Sequence, residues 1–262
     1  WDSGKIEDLC EYNLNDAVLT LNLCEKILPN LTELVKLVGN PLAEVSRMSY
    51  GQLVENYLIK KTKELNEIIP DKPQHSEITE RRTYRYKGAF VMEPIPNLYK
   101  NIVIFDFMSL YPTIIVAKNI CPSTINTNKD GYKSPEIEEH GKGTYYYFSQ
   151  KIDGFIPSVI KDLIIRRGRV KELMKEDDDT ILEARSYALK TVANSMYGYL
   201  GFFGARWYSK ECAASVTAFA REYIKDVIEK TKIAGFNVIY SDTESVYFPL
   251  EKKSEDEAFI FI

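Results

Sequence analysis

Asp242 and Glu244 stand two residues apart in Ile239-Tyr240-Ser241-Asp242-Thr243-Glu244-Ser245-Val246, where two apolar, strand-like runs close on a tight turn. Carboxylates held that close can share a metal ion, although Ser, Asp and Thr are also ordinary residues of a purely structural turn. A second apolar run, Asn101 to Pro112 (NIVIFDFMSLYP), carries Asp106 where an uncharged core residue would be cheaper. An unpaired carboxylate removed from water costs several kcal/mol. Two such acidic strands ask for one shared cation.

The second kind of chemistry is cationic. Arg167 and Lys171 lie four residues apart in a helical stretch and share a face that continues through Ile160 and Ile164. Taken alone, that face is better explained as solvated surface, which is what most charge runs are. In the next helical stretch Lys190, Asn194 and Tyr197 recur at i, i+4 and i+7, which lines up an ammonium, an amide and a phenol. An antiparallel pair of helices can turn both faces toward one groove. Three cations beside two or three carboxylates suit a metal-bound triphosphate, the carboxylates holding Mg²⁺ and the cations neutralising phosphate oxygens.

The elements that must position these groups follow from periodicity and breakers. Apolar residues from Ile6 to Leu65 recur at helical spacing, with a break at Gly39-Asn40-Pro41. Residues 70–87 turn polar and basic and read as a linker or exposed ribbon. Strands flank Asp106, and a helix is expected directly after Pro112, through Thr113 to Ala117. Residues 127–142 are rich in Gly, Pro and charge and read as a loop, with strand character returning at Tyr145 to Phe148. Helices are expected over 157–175 and 180–197, joined by the acidic turn Glu176-Asp177-Asp178-Asp179 as an antiparallel hairpin. A third helix is expected over 210–233.

A chain of 262 residues that is 45% hydrophobic can bury one large core or two smaller ones. The net charge of −4 neither supports nor excludes a polyanionic partner. Cys10, Cys24, Cys121 and Cys212 lack C-x-x-C spacing and have only His75 and His140 to join them, a poor basis for structural zinc. No apolar run approaches the roughly 18 residues of a membrane span, and no signal-like segment opens the chain, so the default is a soluble, intracellular protein without a membrane partner. The chain opens on Trp1 and stops inside the apolar run Phe259-Ile260-Phe261-Ile262, which reads as a piece of something longer.

FDFMSLYPTII, KTVANSMYGYLG and YSDTES resemble, in order and approximate spacing, the three polymerase motifs of family B DNA polymerases, the archaeal type in particular. The resemblance implies an α+β palm, an antiparallel sheet backed by helices, with a helical-hairpin fingers subdomain and a helical N-terminal segment. It divides the chain into the end of a 3′–5′ exonuclease domain with connecting helices (1–70), the first part of the palm (71–153), the fingers (154–200) and the second part of the palm (201–262). A thumb is expected beyond residue 262. The resemblance makes Asp106 and Glu244 metal ligands with Asp242 beside them and the Phe107 carbonyl as a further ligand. Two Mg²⁺ ions are implied, with Mn²⁺ as a possible substitute.

By the same resemblance Tyr111 is a steric gate against the ribose 2′-hydroxyl, and the backbone amides of Ser109, Leu110 and Tyr111 face the triphosphate. Arg167, Lys171, Lys190 and Asn194 grip the incoming nucleotide, and Tyr197 and Gly198 lie near the nascent base pair. Tyr86 and Gly88, in Tyr86-Lys87-Gly88-Ala89, match an element that handles template DNA; Tyr12 and Asp16 match the last exonuclease motif. The implied activity is template-directed addition of deoxynucleotides to a primer 3′-hydroxyl, in replication or repair, on primer–template DNA and dNTPs. A sliding clamp or a separately encoded polymerase part are further possible partners, and a prokaryotic host would place the protein in the cytoplasm with the nucleoid. Glu244 departs from the family's usual Asp, a methylene that shifts a ligand by roughly an ångström where metals stand about 3.5–4 Å apart. That departure motivates the alternative of an impaired, polymerase-like subunit that binds DNA or holds partners together.

Overall fold

The first helix, α1 (Ile6–Val38), ends where Gly39 takes φ 94°. That left-handed conformation carries no steric cost for a residue without Cβ. Asn40 and Pro41 then turn the chain into a single turn, α2 (Leu42–Val45), and α3 (Tyr50–Leu65), which opens on a Ser49/Gln52 capping box. The computed structural model describes residues 5–139, 141–177, 179–250 and 258. His140, Asp178 of the acidic turn and the closing run Phe259–Ile262 lie outside them.

The polar stretch read as a linker contains a helix, α4 (His75–Arg81), whose Gln74 and Glu77 close a capping box. That pairing satisfies two helix-end donors without any apolar face, which is why hydrophobic periodicity missed it. The stretch expected to be a loop is also partly ordered, into β3 (Tyr132–Lys133), β4 (Ile137–Glu139) and the start of β5 (Lys142–Thr144). β4 is fastened to the helices behind it by Glu139, which pairs with Lys210 at 3.0 Å and accepts from the Tyr146 hydroxyl at 2.8 Å. The strand expected from Tyr145 reduces to β6 (Tyr147–Phe148), because the Tyr146 N–H donates to the Ser134 hydroxyl instead of continuing a ladder.

The two long helices are α6 (Phe155–Leu173) and α7 (Thr180–Leu200), packed on each other, and the third is α8 (Lys210–Ile233). The helix after Asp106, α5 (Leu110–Ala117), starts earlier than expected and carries Pro112 in its first turn, where a missing N–H costs nothing. Leu58, Ile115, Ile160, Leu163 and Leu200 meet in the helical core with no exposure.

One antiparallel sheet, in the order β1 (Val91–Met92), β7 (Tyr240–Asp242), β8 (Ser245–Pro249), β2 (Ile102–Asp106), carries the acidic segments. Its inner face packs Val246 and Phe248 against Ile224 and Ile228 of α8 and against Phe236 and Val238. The molecule is thus α+β, an antiparallel sheet backed by helices. Asp106 is not sunk in that core: β2 turns Val103 and Phe105 inward and leaves Ile102, Ile104 and Asp106 on the open face. Alternation, with period two, decides which face a residue takes, and the apolar run concealed it. No helix among the described residues is long and apolar enough to cross a membrane.

A tie between α1 and α7 gives a measurable pH dependence. Glu33, 5% exposed, accepts from Arg185 Nε at 2.9 Å and from Lys36 Nζ at 2.6 Å. Burial raises its pKa, but the two cations outweigh burial and hold the carboxyl below its ordinary value. The unfolded chain therefore binds this proton more tightly than the folded one, so the tie is fully present above the ordinary carboxylate pKa and fades as pH falls through the depressed value. Glu33→Gln is expected to melt below the native protein at pH 7 and to approach it near pH 3, as thermal denaturation at the two pH values would reveal.

Candidate active site

The register of the sheet brings the carboxylates together. Ser245 of β8 lies opposite Asp106 of β2 on one side and opposite Asp242 of β7 on the other. Residues in register share a face, so both aspartates stand on the open side, with Cα atoms two strand spacings, roughly 10 Å, apart. Between them the Ser245 hydroxyl donates to Asp106 Oδ2 at 2.7 Å. The turn residue Thr243 sits at φ 52° and donates its N–H to the Phe90 carbonyl at 3.0 Å. Its hydroxyl meets Asp242 Oδ1 at 2.9 Å. Phe107 N–H donates to the Glu244 carbonyl at 2.9 Å, which locks the turn onto the end of β2.

Glu244 interacts with the start of α5. Burial raises its pKa, and the neighbouring Asp106 charge raises it further, while the Leu110 N–H and the Lys190 ammonium act in the opposite sense. The amide of Leu110 is therefore directed at Glu244. Ser109, next to it, takes the left-handed conformation at φ 56° and caps α5. Among the described residues none of Asp106, Asp242 and Glu244 forms an ion pair.

Whether these residues could hold a cation can be judged from the donor set. The Asp106 and Glu244 charges repel each other, and their oxygens are the hard donors that Mg²⁺ prefers. The pair suits such an ion chemically. Asp242 stands apart, and among the described residues no three acidic, His or Cys side chains gather closely enough to form a metal cluster. The expected trio is thus a pair with a neighbour.

Beside the carboxylates lies a group of tyrosines. The rings of Tyr111 and Tyr197 are 4.4 Å apart and tilted by 37°. The Tyr197 hydroxyl is 3.4 Å from that of Tyr86. Burial raises the pKa of both Tyr111 and Tyr197, the Glu244 charge adding to the first and the Tyr86 hydrogen bond to the second. The Tyr111 and Tyr197 phenols therefore stay protonated at neutral pH.

On α7, Lys190, Asn194 and Gly198 are exposed and Tyr197 half-buried, so the stripe read from spacing faces solvent. Lys190 is the member felt by Glu244. On α6, Lys171 is exposed and Arg167 half-buried, its Nε enclosed without a hydrogen-bond partner. Gly88 is exposed, and the exposed Tyr12 and Asp16 share the N-terminal part of α1, remote in sequence from the carboxylates.

Sequence reasoning passed over Ser245 and Arg221. Ser245 was legible, because two strands closing on Asp242-Thr243-Glu244 must set it across from Asp242. Arg221 gave no signal, since its partners are backbone carbonyls more than 130 residues away.

The chain is a member of the family B DNA polymerases: the family model described as DNA polymerase family B matches residues 40–261. The chain is 40% identical over 254 residues to DNA polymerase 1 of Pyrococcus abyssi, covering 94% of this chain and 32% of that protein. It is 41% identical over 253 residues to the DNA polymerase of Thermococcus gorgonarius, with the same coverage of 94% and 32%. The solved family B DNA polymerase of Pyrobaculum calidifontis superposes with a TM-score of 0.77 at 37% identity, covering 100% of this chain and 34% of that one. The chain spans about a third of the length of the curated relatives it matches.

Proposed function

We propose that the chain supplies the palm and fingers of a template-directed DNA polymerase, in which α6 and α7 are the fingers and the four-stranded sheet with α8 is the palm. The observation that carries this reading is the meeting of Asp106 and Glu244 at the end of β2, within electrostatic reach of Lys190, with neither carboxylate in an ion pair among the described residues. Asp106 and Glu244 would hold divalent metal, Mg²⁺ by preference, with the Phe107 carbonyl beside them and Asp242 at the margin. Bound there, two such ions would lower the pKa of a primer 3′-hydroxyl and stabilise the charge developing on the phosphates.

The chain's own residues have separate tasks. Lys190 and Asn194, with Arg167 and Lys171 of α6, would neutralise and orient the triphosphate. The amides of Ser109, Leu110 and Tyr111 would face the same anion. Tyr111 would lie under the sugar and exclude a 2′-hydroxyl, and Tyr197 and Gly198 would border the nascent pair. Tyr86 and Gly88 would steady the template, where aromatic rings stack on bases and exposed backbone admits phosphate. Tyr12 and Asp16 would be the remnant of an exonuclease motif. A cytoplasmic setting with the nucleoid follows from this role in a prokaryote. The names of the relatives favour this reading over a non-catalytic subunit.

Primer extension by the protein as encoded tests the proposal. Extension by the templated deoxynucleotide, dependent on Mg²⁺ and abolished by EDTA, is expected. Retained primer–template binding with no extension in Mg²⁺ or Mn²⁺ would overturn it in favour of the binding subunit.

A further inference from the structure

Arg221 on α8 has an unusual set of partners. Its Nη1 donates to the carbonyls of Lys87 and Gly88, each at 2.6 Å, and Thr217, one turn earlier, donates to the same Lys87 carbonyl at 2.9 Å. The guanidinium is half-buried and has no carboxylate partner among the described residues. Burial lowers its pKa, and the ionisable side chains that act on it in the opposite sense are Tyr111 and Tyr197. Desolvating a cation without a counter-ion costs free energy that a general fold staple could avoid. The charge-assisted bonds to two consecutive carbonyls fix this backbone more stiffly than neutral donors would.

That backbone is the base on which Tyr86 stands. Its hydroxyl reaches Tyr197 at 3.4 Å, and Tyr197 in turn lies 4.4 Å, ring to ring, from Tyr111. The Tyr86 hydroxyl fits there because position 201 is glycine: a Cβ on Gly201 would come within 2.5 Å of it. Tyr111 thus rests on Tyr197, Tyr197 on Tyr86, and Tyr86 on the Lys87–Gly88 backbone that Arg221 and Thr217 hold.

We propose that Arg221 is a positioning residue for sugar selection: by clamping Lys87 and Gly88 it fixes Tyr86 against Tyr197 and so keeps Tyr111 in place beneath the nucleotide sugar. The proposal rests on the reading of Tyr111 as the sugar gate. It also joins the segment assigned to the template with the residue that inspects the incoming nucleotide, so that looseness in one becomes tolerance in the other.

Single-nucleotide insertion opposite a template guanine, with dCTP or rCTP and the protein as encoded, tests it through the ratio of the two kcat/KM values. Arg221→Met, which keeps length and loses the donors, is expected to lower the preference for dCTP about tenfold, and Arg221→Lys to restore most of it. Tyr86→Phe, which removes only the hydroxyl and spares the fold, should shift the ratio in the same direction. Tyr111→Ala, as the control, should relax selection further than either. If Tyr111→Ala leaves the ratio unchanged, the gate reading fails and the proposal with it. If Tyr111→Ala relaxes selection while Tyr86→Phe and Arg221→Met keep the native ratio, the gate stands and Arg221 is only a staple, which overturns the proposal.

Discussion

Asp106→Asn is expected to reduce primer extension a thousandfold or more, a loss of about 4 kcal/mol of transition-state stabilisation, while the melting temperature stays within a degree or two. The substitution keeps the shape of the side chain and one carbonyl oxygen that can still accept from Ser245, the 2.7 Å contact that fixes the carboxylate in place. What it removes is one of two mutually repelling carboxylate charges, neither of which forms an ion pair among the described residues. Because Asp106 is exposed, its charge does little for the fold. Single-turnover extension and a thermal melt of the same preparation check both halves. An Asn variant with native rates would remove Asp106 from the mechanism.

Glu244 separates function from stability in the opposite direction. Glu244→Gln keeps the length and can still accept from the Leu110 N–H, but it loses the charge. Extension is expected to fall by roughly two to three orders of magnitude. The fold should gain. The carboxyl of Glu244 is held above its ordinary value, first by burial and then by Asp106, so the folded chain binds that proton more tightly than the unfolded one. Stability therefore falls as pH rises from the ordinary carboxylate pKa through the raised one, and ionised Glu244 is a burden at neutral pH. In metal-free buffer at pH 7, Glu244→Gln should melt higher than the native protein, and near pH 4 the difference should vanish. Glu244→Asp retains the charge, gives up the reach to Leu110, and should extend primers at least as fast as the native protein. A Gln variant with native activity would show that Glu244 binds no metal, and an inactive Asp variant would show that the longer side chain is required.

How much of this was visible in the residues depends on which interactions built each part. The long helices carry their own periodicity, and α8 begins and ends where its spacing places it, at Lys210 and Ile233. The short elements do not. The helix at His75–Arg81 rests on side-chain caps, and the ladders at Ile137–Glu139 and Lys142–Thr144 exist because Glu139 is tied to Lys210 and Tyr146. Those contacts are tertiary and leave no pattern in a polar stretch.

The site divides in the same way. Asp106, Asp242, Glu244 and the Lys190 stripe were legible from residue type and spacing. The burial expected of Asp106 was not correct, because an apolar strand at the edge of a sheet still has an open face, and Asp106 stands on it with Ile102 and Ile104. The approach of Glu244 to Leu110 depends on how the turn is locked onto the end of β2 by the Phe107 N–H, which residue spacing does not show. Arg221 depends wholly on where Lys87 and Gly88 are carried by the fold.

The polymerase reading stands on Asp106 and Glu244 jointly holding divalent metal at the head of α5. Anomalous scattering from crystals of the encoded protein with primer–template, a non-hydrolysable dNTP analogue and Mn²⁺ tests it most directly. Manganese is expected on a carboxylate oxygen of Asp106, on Glu244 and on the Phe107 carbonyl, with Lys190 on the triphosphate. Nucleotide bound in the groove with manganese absent from Asp106 and Glu244, and Glu244 still on the Leu110 N–H, would contradict it.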